Sequence, residues 1–331
     1  MRRSLGAWGV GLICLTLLVL ALPPTRAAGP AFAFVVASDM RQWAGPGAYD
    51  TPDYFRGAVE AIGGRGPGEL MLSPGDIDPV GGVYWTITST LGSDYAWFPI
   101  VGNHELPGAG NESSPGANMA WLRAYDYDAN GPGMPPDLVR AGPAGCPETT
   151  FSFDYGNAHF VVLNQYCDES GDTATDGDVP DHLYDWLVAD VAATDREHIF
   201  VFGHEPAFPQ PDADNGRLRH ENDSLNKYPA HRDRFWAFLS MPRVRAYFCG
   251  HTHNYSAVQI DGVWQIDAGH ARGMGDTGAP STFLIVHVDG PQVRFEAYRD
   301  EHDGLYDYDD LVHSGLLSPF RFYLPLVVSF Q

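Results

Sequence analysis

The sequence predicts an α/β protein in which buried strands alternate with helices. Apolar runs such as AFAFVVASD (31–39) and HIFVFGH (198–204) lack the polar alternation of a half-exposed strand. Such runs are typical of strands covered on both faces. Segments between them carry apolar residues at helical spacing. Helix and strand alternate in this way around residues 181–251, which favours a layered α/β domain.

The predicted strands end in Gly, Ser, Asn, Asp or His. Their ranges are 31–39, 69–76, 96–104, 198–204 and 244–251. In α/β sheets, sites form beyond the carboxyl ends of the strands, so we expect these polar residues to gather along one edge. The clearest helix is predicted over 181–195, with Leu183, Trp186, Leu187 and Val191 on one stripe. A second helix is predicted over 232–240.

The segment TTFSFDYGNAHFVVLNQY (149–166) predicts a β-hairpin. Its turn is Gly156-Asn157, a Gly-first two-residue loop that suits a type II′ turn. The resulting register places Phe153 opposite Phe160. If the same register continues beyond the two strands, it also predicts which of the flanking residues lie opposite each other.

The N-terminus is typical of a secretory signal. Two arginines precede an apolar run, which two prolines and small residues close. Cleavage near Ala27 or Ala28 divides the chain into a signal peptide (1–28), one large domain (29–315) and a C-terminal apolar segment (316–331). An uncleaved N-terminal anchor is the alternative, although the prolines close the run early. The C-terminal segment is too short to span a bilayer.

Three cysteines follow the predicted signal peptide, and in an oxidising compartment two of them are expected to form a disulfide. The hairpin register indicates which two. Cys146 and Cys167 fall opposite each other, at a pair whose Cα atoms should lie about 4.5 Å apart. We therefore predict a Cys146–Cys167 disulfide, while Pro147 argues against the strand ladder reaching that far. Cys249 is expected to be a small buried core residue.

The amino-acid composition limits the kinds of molecule that the protein is expected to bind. The 331-residue chain is 44% hydrophobic, enough for a sizeable core, and its formal net charge is −22. Nucleic acid and anionic membrane surfaces would be repelled, so neither is an expected partner, and no membrane contact beyond export is expected. The same charge disfavours a phosphate ester at long range unless cations gather locally.

The polar strand ends form one set of metal-ligating residue types. In chain order they are Asp39, Asp76, Asn103, His104, Glu105, His204, His251 and His253. Carboxylate oxygens and neutral imidazole nitrogens from several strands are what a pair of divalent cations requires. One carboxylate can bridge the two ions.

This order resembles the metallophosphoesterase superfamily, the calcineurin-like phosphatases, whose pattern is D-x-H, GD, GNH(E/D), a His and GHxH. The resemblance covers about residues 33–300. Segments such as SFDYGNAHFVVLN and GVWQIDAGHARG are most similar to the secreted purple-acid-phosphatase-like branch. The resemblance implies a four-layer α/β/β/α sandwich of two mixed sheets flanked by helices.

The resemblance also implies a role for each matched residue. Asp76 would bridge two divalent ions. The resemblance does not distinguish between Zn, Mn, Fe and Ni as the metal. One ion would be completed by Asn103, His204 and His251, and the other by Asp39 and His253. Glu105 would support a ligand from outside the ion's own shell.

The implied reaction is hydrolysis of phosphate mono- or diesters by metal-bound hydroxide at a dinuclear site. His104 would face the ester and either protonate the leaving oxygen or stabilise the developing charge. Surface loops that would select the substrate are predicted over 106–120, 128–148 and 208–229.

The sequence departs from the family at Arg41, where the superfamily usually has a histidine ligand. A guanidinium has only donors and cannot ligate a cation. The ion beside Asp39 then has at most three matched ligands, and that side is weak or empty unless water, Gln42, Asp78 or His270 fills the gap. Arg41 itself either binds a phosphate oxygen in bidentate fashion, as a catalytic residue, or pairs with a nearby acid.

One further departure and two alternative hypotheses bear on function. The tyrosine that purple acid phosphatases place three residues after the GD aspartate is Pro79 here, so we expect no purple colour. Because of Arg41, the alternative to a phosphoesterase is a non-catalytic or single-metal secreted binding protein on the same scaffold. A calcium-dependent adhesion module using the acidic stretches 171–181 and 300–310 is a third, less favoured hypothesis, because a solvated acidic face explains both stretches.

Overall fold

The part of the chain described by the computed structural model consists of residues 30–40, 51–107, 116–125, 140–171, 174–276, 278–300 and 312–318. Arg41, Gln42 and the predicted signal peptide lie outside these residues, as do the acidic stretch after Asp300 and the C-terminal segment beyond residue 318. Among the described helices, none combines the length and apolar character that a membrane crossing needs.

The regular elements follow each other in a mixed order along the chain. The strands are β1 (Phe32–Val36), β2 (Leu70–Ser73), β3 (Ala96–Pro99), β4 (Arg140–Ala141), β5 (Phe151–Tyr155), β6 (Ala158–Val162), β7 (His198–Phe202), β8 (Val244–Cys249), β9 (Tyr255–Ile260), β10 (Val263–Ala268), β11 (Ser281–Asp289), β12 (Gln292–Asp300) and β13 (Val312–Leu316). The helices are α1 (Phe55–Arg65), α2 (Val80–Leu91), α3 (Ala117–Ala124), α4 (Asp181–Ala193) and α5 (Pro229–Leu239).

These strands build two mixed sheets within the described residues. The first has the order β13-β12-β11-β1-β2-β3, with β1, β2 and β3 parallel to each other and β11 antiparallel to β1. The second has the order β4-β5-β6-β7-β8-β10-β9, with β6, β7, β8 and β10 parallel. Helices α1 and α2 follow β1 and β2, and α4 and α5 lead into β7 and β8.

The layers are held together by three apolar cores. Phenylalanines of both sheets meet between them, including Phe34 and Phe160, whose ring centroids lie 5.2 Å apart. A second core lies between the first sheet and α1, α2 and α3. A third lies between the second sheet and α4 and α5. Each sheet is thus covered on both faces, and the predicted four-layer α/β/β/α sandwich is confirmed.

The predicted elements are confirmed with small shifts at their ends. All five predicted strands form, and their residues are almost entirely buried, as continuous apolar runs require. Helix α4 buries the predicted stripe but ends at Ala193, two residues early. Helix α5 begins at Pro229, three residues early, because proline suits the first helical position. Strand β13 ends at Leu316, beside the predicted domain boundary, and the boundaries themselves stay predictions.

The hairpin register and the disulfide are confirmed. Strands β5 and β6 pair Phe153 with Phe160, and Gly156 has a φ of 55° at the turn. Cys146 and Cys167 are bonded, and Cys249 is buried and free. The bonded residues have Cα atoms 5.9 Å apart, wider than a strand pair, because the ladder ends at β5 and Cys146 lies in the turn before it.

Removing the disulfide is expected to lower the free energy of unfolding by about 3 kcal/mol, because the bridge closes a loop with a sequence separation of 21 residues. Urea unfolding of the Cys146→Ser/Cys167→Ser double variant measures this. The control is Cys249→Ala, which removes the free thiol and keeps the bridge. A double variant as stable as the parent protein would contradict the prediction.

Candidate metal centre

Most of the predicted ligands sit at sharp turns just beyond the strands. Asp39, Asp76, His251 and His253 all have positive φ, between 52° and 71°. Left-handed backbone is uncommon outside glycine and is concentrated at functional sites, where surrounding structure offsets its cost. These turns aim side chains from both sheets at the space between the sheet edges.

Two motif glycines let these turns approach each other. A Cβ at Gly250 would lie 2.2 Å from Asp39 Oδ2, and one at Gly102 would lie 2.4 Å from the backbone nitrogen of Asp76. Real Cβ atoms do not come so close, so only glycine fits. The close approach allows the His251 N–H to donate to Asp39 Oδ2 over 3.0 Å, which ties the two sheets together at the site.

One group of ligands converges on His204 Nε2, and we call it the His204 side. Asn103 Oδ1 lies 3.1 Å, His251 Nδ1 3.2 Å and Asp76 Oδ1 3.3 Å from this nitrogen. Ligands held about 2.1 Å from a tetrahedral ion lie roughly 3.4 Å from each other. The three distances from His204 Nε2 are therefore close to those between neighbouring ligands of one zinc-like ion.

Hydrogen bonds to backbone carbonyls direct the other ring nitrogen of each histidine into this group. His204 Nδ1–H donates to the carbonyl of Pro74 over 2.6 Å, so Nε2 carries a lone pair. His251 Nε2–H donates to the carbonyl of Asp223 over 2.7 Å, so Nδ1 carries one as well. Two ring nitrogens and two oxygens that can each act as a ligand therefore face each other. A cation, either a metal ion or a proton on His204 Nε2, suits the space between them.

Electrostatics agree with this arrangement. Burial lowers the pKa of His204, but the carboxylates of Asp76 and Asp39 outweigh burial and raise this pKa to about 9. Burial, together with the charge of His204, lowers the pKa of His251 well below its usual range. The ligand atoms therefore attract positive charge while the second imidazole stays neutral.

A second group, the Asp39 side, shares Asp76 with the first. One ligand atom each from Asp39, Asp76 and His253 lies within 4.8 Å of the others. Asp39 Oδ1 is buried without a hydrogen-bond partner and lies 3.4 Å from His253 Nε2. Burial raises the pKa of Asp39 to about 6. The expected three-ligand group of this side therefore comes together, and one of its oxygens suits a cation.

Glu105 supports the ligands rather than joining them. Its Oε2 accepts from the backbone N–H groups of Asp76 (2.9 Å) and Gly102 (2.7 Å), and its Oε1 accepts from Ile77 (2.7 Å). Burial and the neighbouring charge of Asp76 raise the pKa of this carboxyl to about 8. The side chain therefore holds the turn that carries Asp76, in line with the outer role that the sequence implied.

Replacing Glu105 by alanine is expected to lower the free energy of unfolding by at least about 3 kcal/mol, because three buried N–H groups lose their acceptor. Urea unfolding of the metal-free protein measures the loss. Glu60→Ala, on an exposed position of α1, is the control and should unfold like the parent. Equal stability of the two variants would show that the turn does not depend on Glu105.

His104 lies at the open rim of the centre. Its side chain is 20% exposed, and its Nε2 lies 3.7 Å from Asp76 Oδ2. The backbone N–H of His104 donates to Asp76 Oδ1 over 3.1 Å. The imidazole is therefore held beside the predicted bridging carboxylate and remains accessible to a molecule from solvent.

Two of the side chains suggested to fill the gap beside Asp39 are engaged elsewhere. His270 Nε2–H donates to the carbonyl of Ala279 over 2.9 Å, and burial lowers the pKa of His270 to about 3. Asp78 accepts from Asn118 Nδ2 over 2.8 Å. Neither belongs to the three-residue group of the Asp39 side. Arg41 and Gln42 lie outside the described residues.

Several residues near the centre were not predicted as part of it. Arg272 is buried against His253, and Asp276 Oδ2 lies 2.8 Å from His253 Nδ1. The loop predicted over 208–229 brings His220 within 4.1 Å of the His251 ring, measured between centroids. His220, Asp223 and His251 form a further group with metal-ligand spacing. In the segment AGHARG, His270 was considered as a ligand because of its residue type. Nothing in the sequence distinguished Arg272 from an ordinary arginine.

A comparison with protein families decides the relationship. The family model for calcineurin-like phosphoesterases matches residues 32–255, which hold all six predicted metal ligands. The chain belongs to this phosphoesterase family. The predicted superfamily is therefore confirmed, and its members' divalent-metal chemistry applies to the candidate centre at the level of the family.

Individual relatives of this phosphoesterase-family chain are distant. Purple acid phosphatase 22 of Arabidopsis thaliana is 25% identical over 199 residues, which cover 56% of this chain and 38% of that protein. The chain thus spans well under half of the curated relative. The structure of PhoD has a TM-score of 0.56 at 14% identity, covering 88% of this chain and 70% of that chain, and this likeness supports the fold alone.

Proposed function

We propose that the protein is a secreted, metal-dependent phosphoesterase that hydrolyses phosphate mono- or diesters. The observation that carries the proposal is the His204 side, where Asp76 Oδ1, Asn103 Oδ1 and His251 Nδ1 all lie within 3.3 Å of His204 Nε2. Family membership supports hydrolysis of a phosphoester as the reaction class.

The candidate centre has the chemistry of a divalent-metal site. Asp76, Asn103, His204 and His251 would hold an ion on the His204 side, and Asp39, Asp76 and His253 are the residues available on the Asp39 side. When bound, divalent ions supply Lewis-acid stabilisation of phosphoryl oxygens and make water acidic enough to give hydroxide near neutral pH. Oxygen and imidazole donors suit Zn, Mn, Fe or Ni.

The side chains around the centre would position the ester and move a proton. His104, at the rim, would give its proton to the leaving oxygen. Arg219, from the 208–229 loop, has a side chain that is 32% exposed and contacts Asp276. Its guanidinium adds positive charge at the entrance, where an ester arrives within the short range that salt leaves unscreened. This positive charge would offset, at short range, the repulsion expected from the acidic surface.

Secretion and domain limits belong to the same proposal. The Cys146–Cys167 disulfide supports an oxidising compartment, where such bridges persist. We assign residues 1–28 to a signal peptide, 29–315 to the metallophosphoesterase domain and 316–331 to a C-terminal apolar segment. Mass spectrometry of the protein exported from cells tests the first limit, because an intact N-terminus would contradict it.

A binding protein on the same scaffold is the second candidate. The departure at Arg41 favours it, since that residue stands where the family has a ligand. The two candidates differ in turnover: a binding protein would retain phosphate or an ester without releasing alcohol.

Removing metal is expected to abolish turnover. Mature protein purified without chelator is assayed on phenyl phosphate and on bis(4-nitrophenyl) phosphate, before and after dialysis against dipicolinate. Activity should fall to background and return on adding Zn²⁺ or Mn²⁺, because the acceptor atoms of the His204 side then regain a cation. Turnover unaffected by chelation would contradict metal dependence. Absence of turnover with every metal tried would favour the binding protein.

A further inference from the structure

Arg272 places a guanidinium directly against the Asp39 side. The side chain is 1% exposed and lies in the turn that follows β10. Its Nε–H donates to the backbone carbonyl of Asp39 over 3.0 Å, and its Nη2 lies 3.0 Å from His253 Nε2. Because guanidinium nitrogens only donate, His253 Nε2 must be the acceptor in this contact.

The other ring nitrogen of His253 has two neighbours. Nδ1 lies 2.8 Å from Asp276 Oδ2, which can accept a proton from it, and it also contacts Arg219 Nη1, so a second guanidinium stands against the same imidazole. This pairing of a carboxylate with histidine is the one that orients metal-ligating imidazoles. Here, however, the lone pair that an ion would use is already taken by Arg272. One lone pair cannot serve both.

Charge on this side is also supplied by the protein. Arg217 Nη1 lies 3.0 Å and Arg219 Nη1 3.4 Å from the carboxylate of Asp276. Together with Arg272, three guanidinium groups therefore surround His253 and its partner carboxylate. A divalent ion at the Asp39 side would add two positive charges beside them, and like charges in a buried space repel strongly.

The ligand nitrogens of the His204 side have different partners. The side-chain nitrogens of His204 and His251 contact two carbonyl oxygens, Asn103 Oδ1, Asp76 Oδ1 and each other. None of these partners brings a guanidinium hydrogen to the facing lone pairs. The two sides of Asp76 thus differ, because only on the Asp39 side does a guanidinium contact the ligand nitrogen that an ion would use.

One observation points the other way, since Asp39 Oδ1 is buried without a hydrogen-bond partner. Its charge is nevertheless offset by the adjacent Arg272 guanidinium, which is anchored to the carbonyl of the same residue. An ion there would have to displace an arginine that is buried and tethered at Nε. The fixed guanidinium therefore outweighs the single free oxygen.

We propose that the guanidinium of Arg272 takes the place of the ion on the Asp39 side, so that the protein binds a single divalent ion, held by Asp76, Asn103, His204 and His251. This replaces the two ions implied by the sequence resemblance. The inference rests on the proposed function only in placing an ion on the His204 side.

Metal content per folded chain tests the proposal. Parent protein, Arg272→Met and Arg272→Lys are purified without chelator, equilibrated with excess Mn²⁺ and freed of unbound ion. Methionine removes the charge and keeps much of the volume, whereas lysine keeps the charge. We expect one equivalent in the parent and in Arg272→Lys, and two in Arg272→Met. Arg196→Ala, which removes a partly exposed guanidinium paired with Asp154 and not with any residue of the centre, is the control and should hold one.

Electron paramagnetic resonance gives a second readout that is independent of activity. An isolated Mn²⁺ should give an uncoupled spectrum in the parent, and two ions sharing Asp76 should give exchange coupling in Arg272→Met. Two equivalents in the parent would overturn the proposal even if Arg272→Met failed to fold. One equivalent in a folded Arg272→Met would overturn it as well.

The outcomes separate this inference from the proposed function. If the parent protein binds two ions and turns over a phosphate ester, the inference is wrong and the proposed phosphoesterase function stands. One ion without turnover would keep the inference and favour a single-metal binding protein. A parent protein that binds no ion under these conditions would overturn both.

Discussion

Replacing Asp76 by asparagine is expected to lower kcat/KM for a phosphate ester at least about 10³-fold. Asp76 is the residue shared by the His204 side and the Asp39 side, and its Oδ1 lies 3.3 Å from His204 Nε2. Asparagine keeps the shape but removes the charge that offsets a cation. The variant should therefore also lose metal, which elemental analysis of the dialysed protein measures.

Stability distinguishes this loss from misfolding. In the metal-free protein Asp76 repels Asp39 and Glu105, as its raising of the pKa of both residues indicates, and attracts His204. These effects oppose each other, so the melting temperature of metal-free Asp76→Asn should stay within about 4 °C of the parent.

Asp190→Asn is the matched control, because Asp190 is equally buried but pairs with His159, away from the centre. It should keep its metal and its kcat/KM even if it loses stability. Full activity in Asp76→Asn would remove Asp76 from the centre.

Replacing His104 by alanine is expected to lower kcat about 10²- to 10⁴-fold while metal content stays unchanged. The imidazole lies beside Asp76 without joining the four facing acceptors, so its loss should leave the ligands in place. If it protonates the leaving oxygen, the loss should depend on the leaving group. Phenyl phosphate, whose leaving oxygen needs a proton, should suffer far more than 4-nitrophenyl phosphate.

His231→Ala provides the comparison for this experiment. His231 is a partly exposed histidine paired with Asp178, and it is not one of the residues assigned to the centre. Its removal should leave both substrates unaffected. Equal losses on the two substrates in His104→Ala would argue for charge stabilisation instead of proton transfer, and no loss would exclude His104 from the reaction.

The arginines beside the candidate centre also explain why the acidic composition does not exclude a phosphate ester. The net charge of −22 is spread over the whole chain, and salt screens it beyond about 10 Å. Near His253, by contrast, Arg217, Arg219 and Arg272 are concentrated within contact distance of one carboxylate or imidazole. Positively charged side chains are therefore present beside the centre although the net charge of the whole chain is negative.

Local patterns in the sequence determined the elements and the candidate ligands. Continuous apolar runs predicted β1 and β7, and a single turn fixed the register that places Cys146 opposite Cys167. These features depend on residues close together in the chain, so the apolar runs and the turn residues suffice to predict them. The order of polar strand ends likewise singled out six residues, and their described atoms do gather at one edge.

Tertiary structure alone decided which partners meet those residues. Arg272 lies 233 residues from Asp39, whose carbonyl it contacts, and Arg217 reaches Asp276 across 59 residues. No periodicity or motif marks such an arginine, because an ordinary surface arginine has the same local sequence. Only the packing of the two sheets against each other shows that His253 Nε2 meets a guanidinium, whereas the facing nitrogens of His204 and His251 contact none. The residue types were fixed by the chain, and the balance of donors and acceptors around them was fixed by the fold.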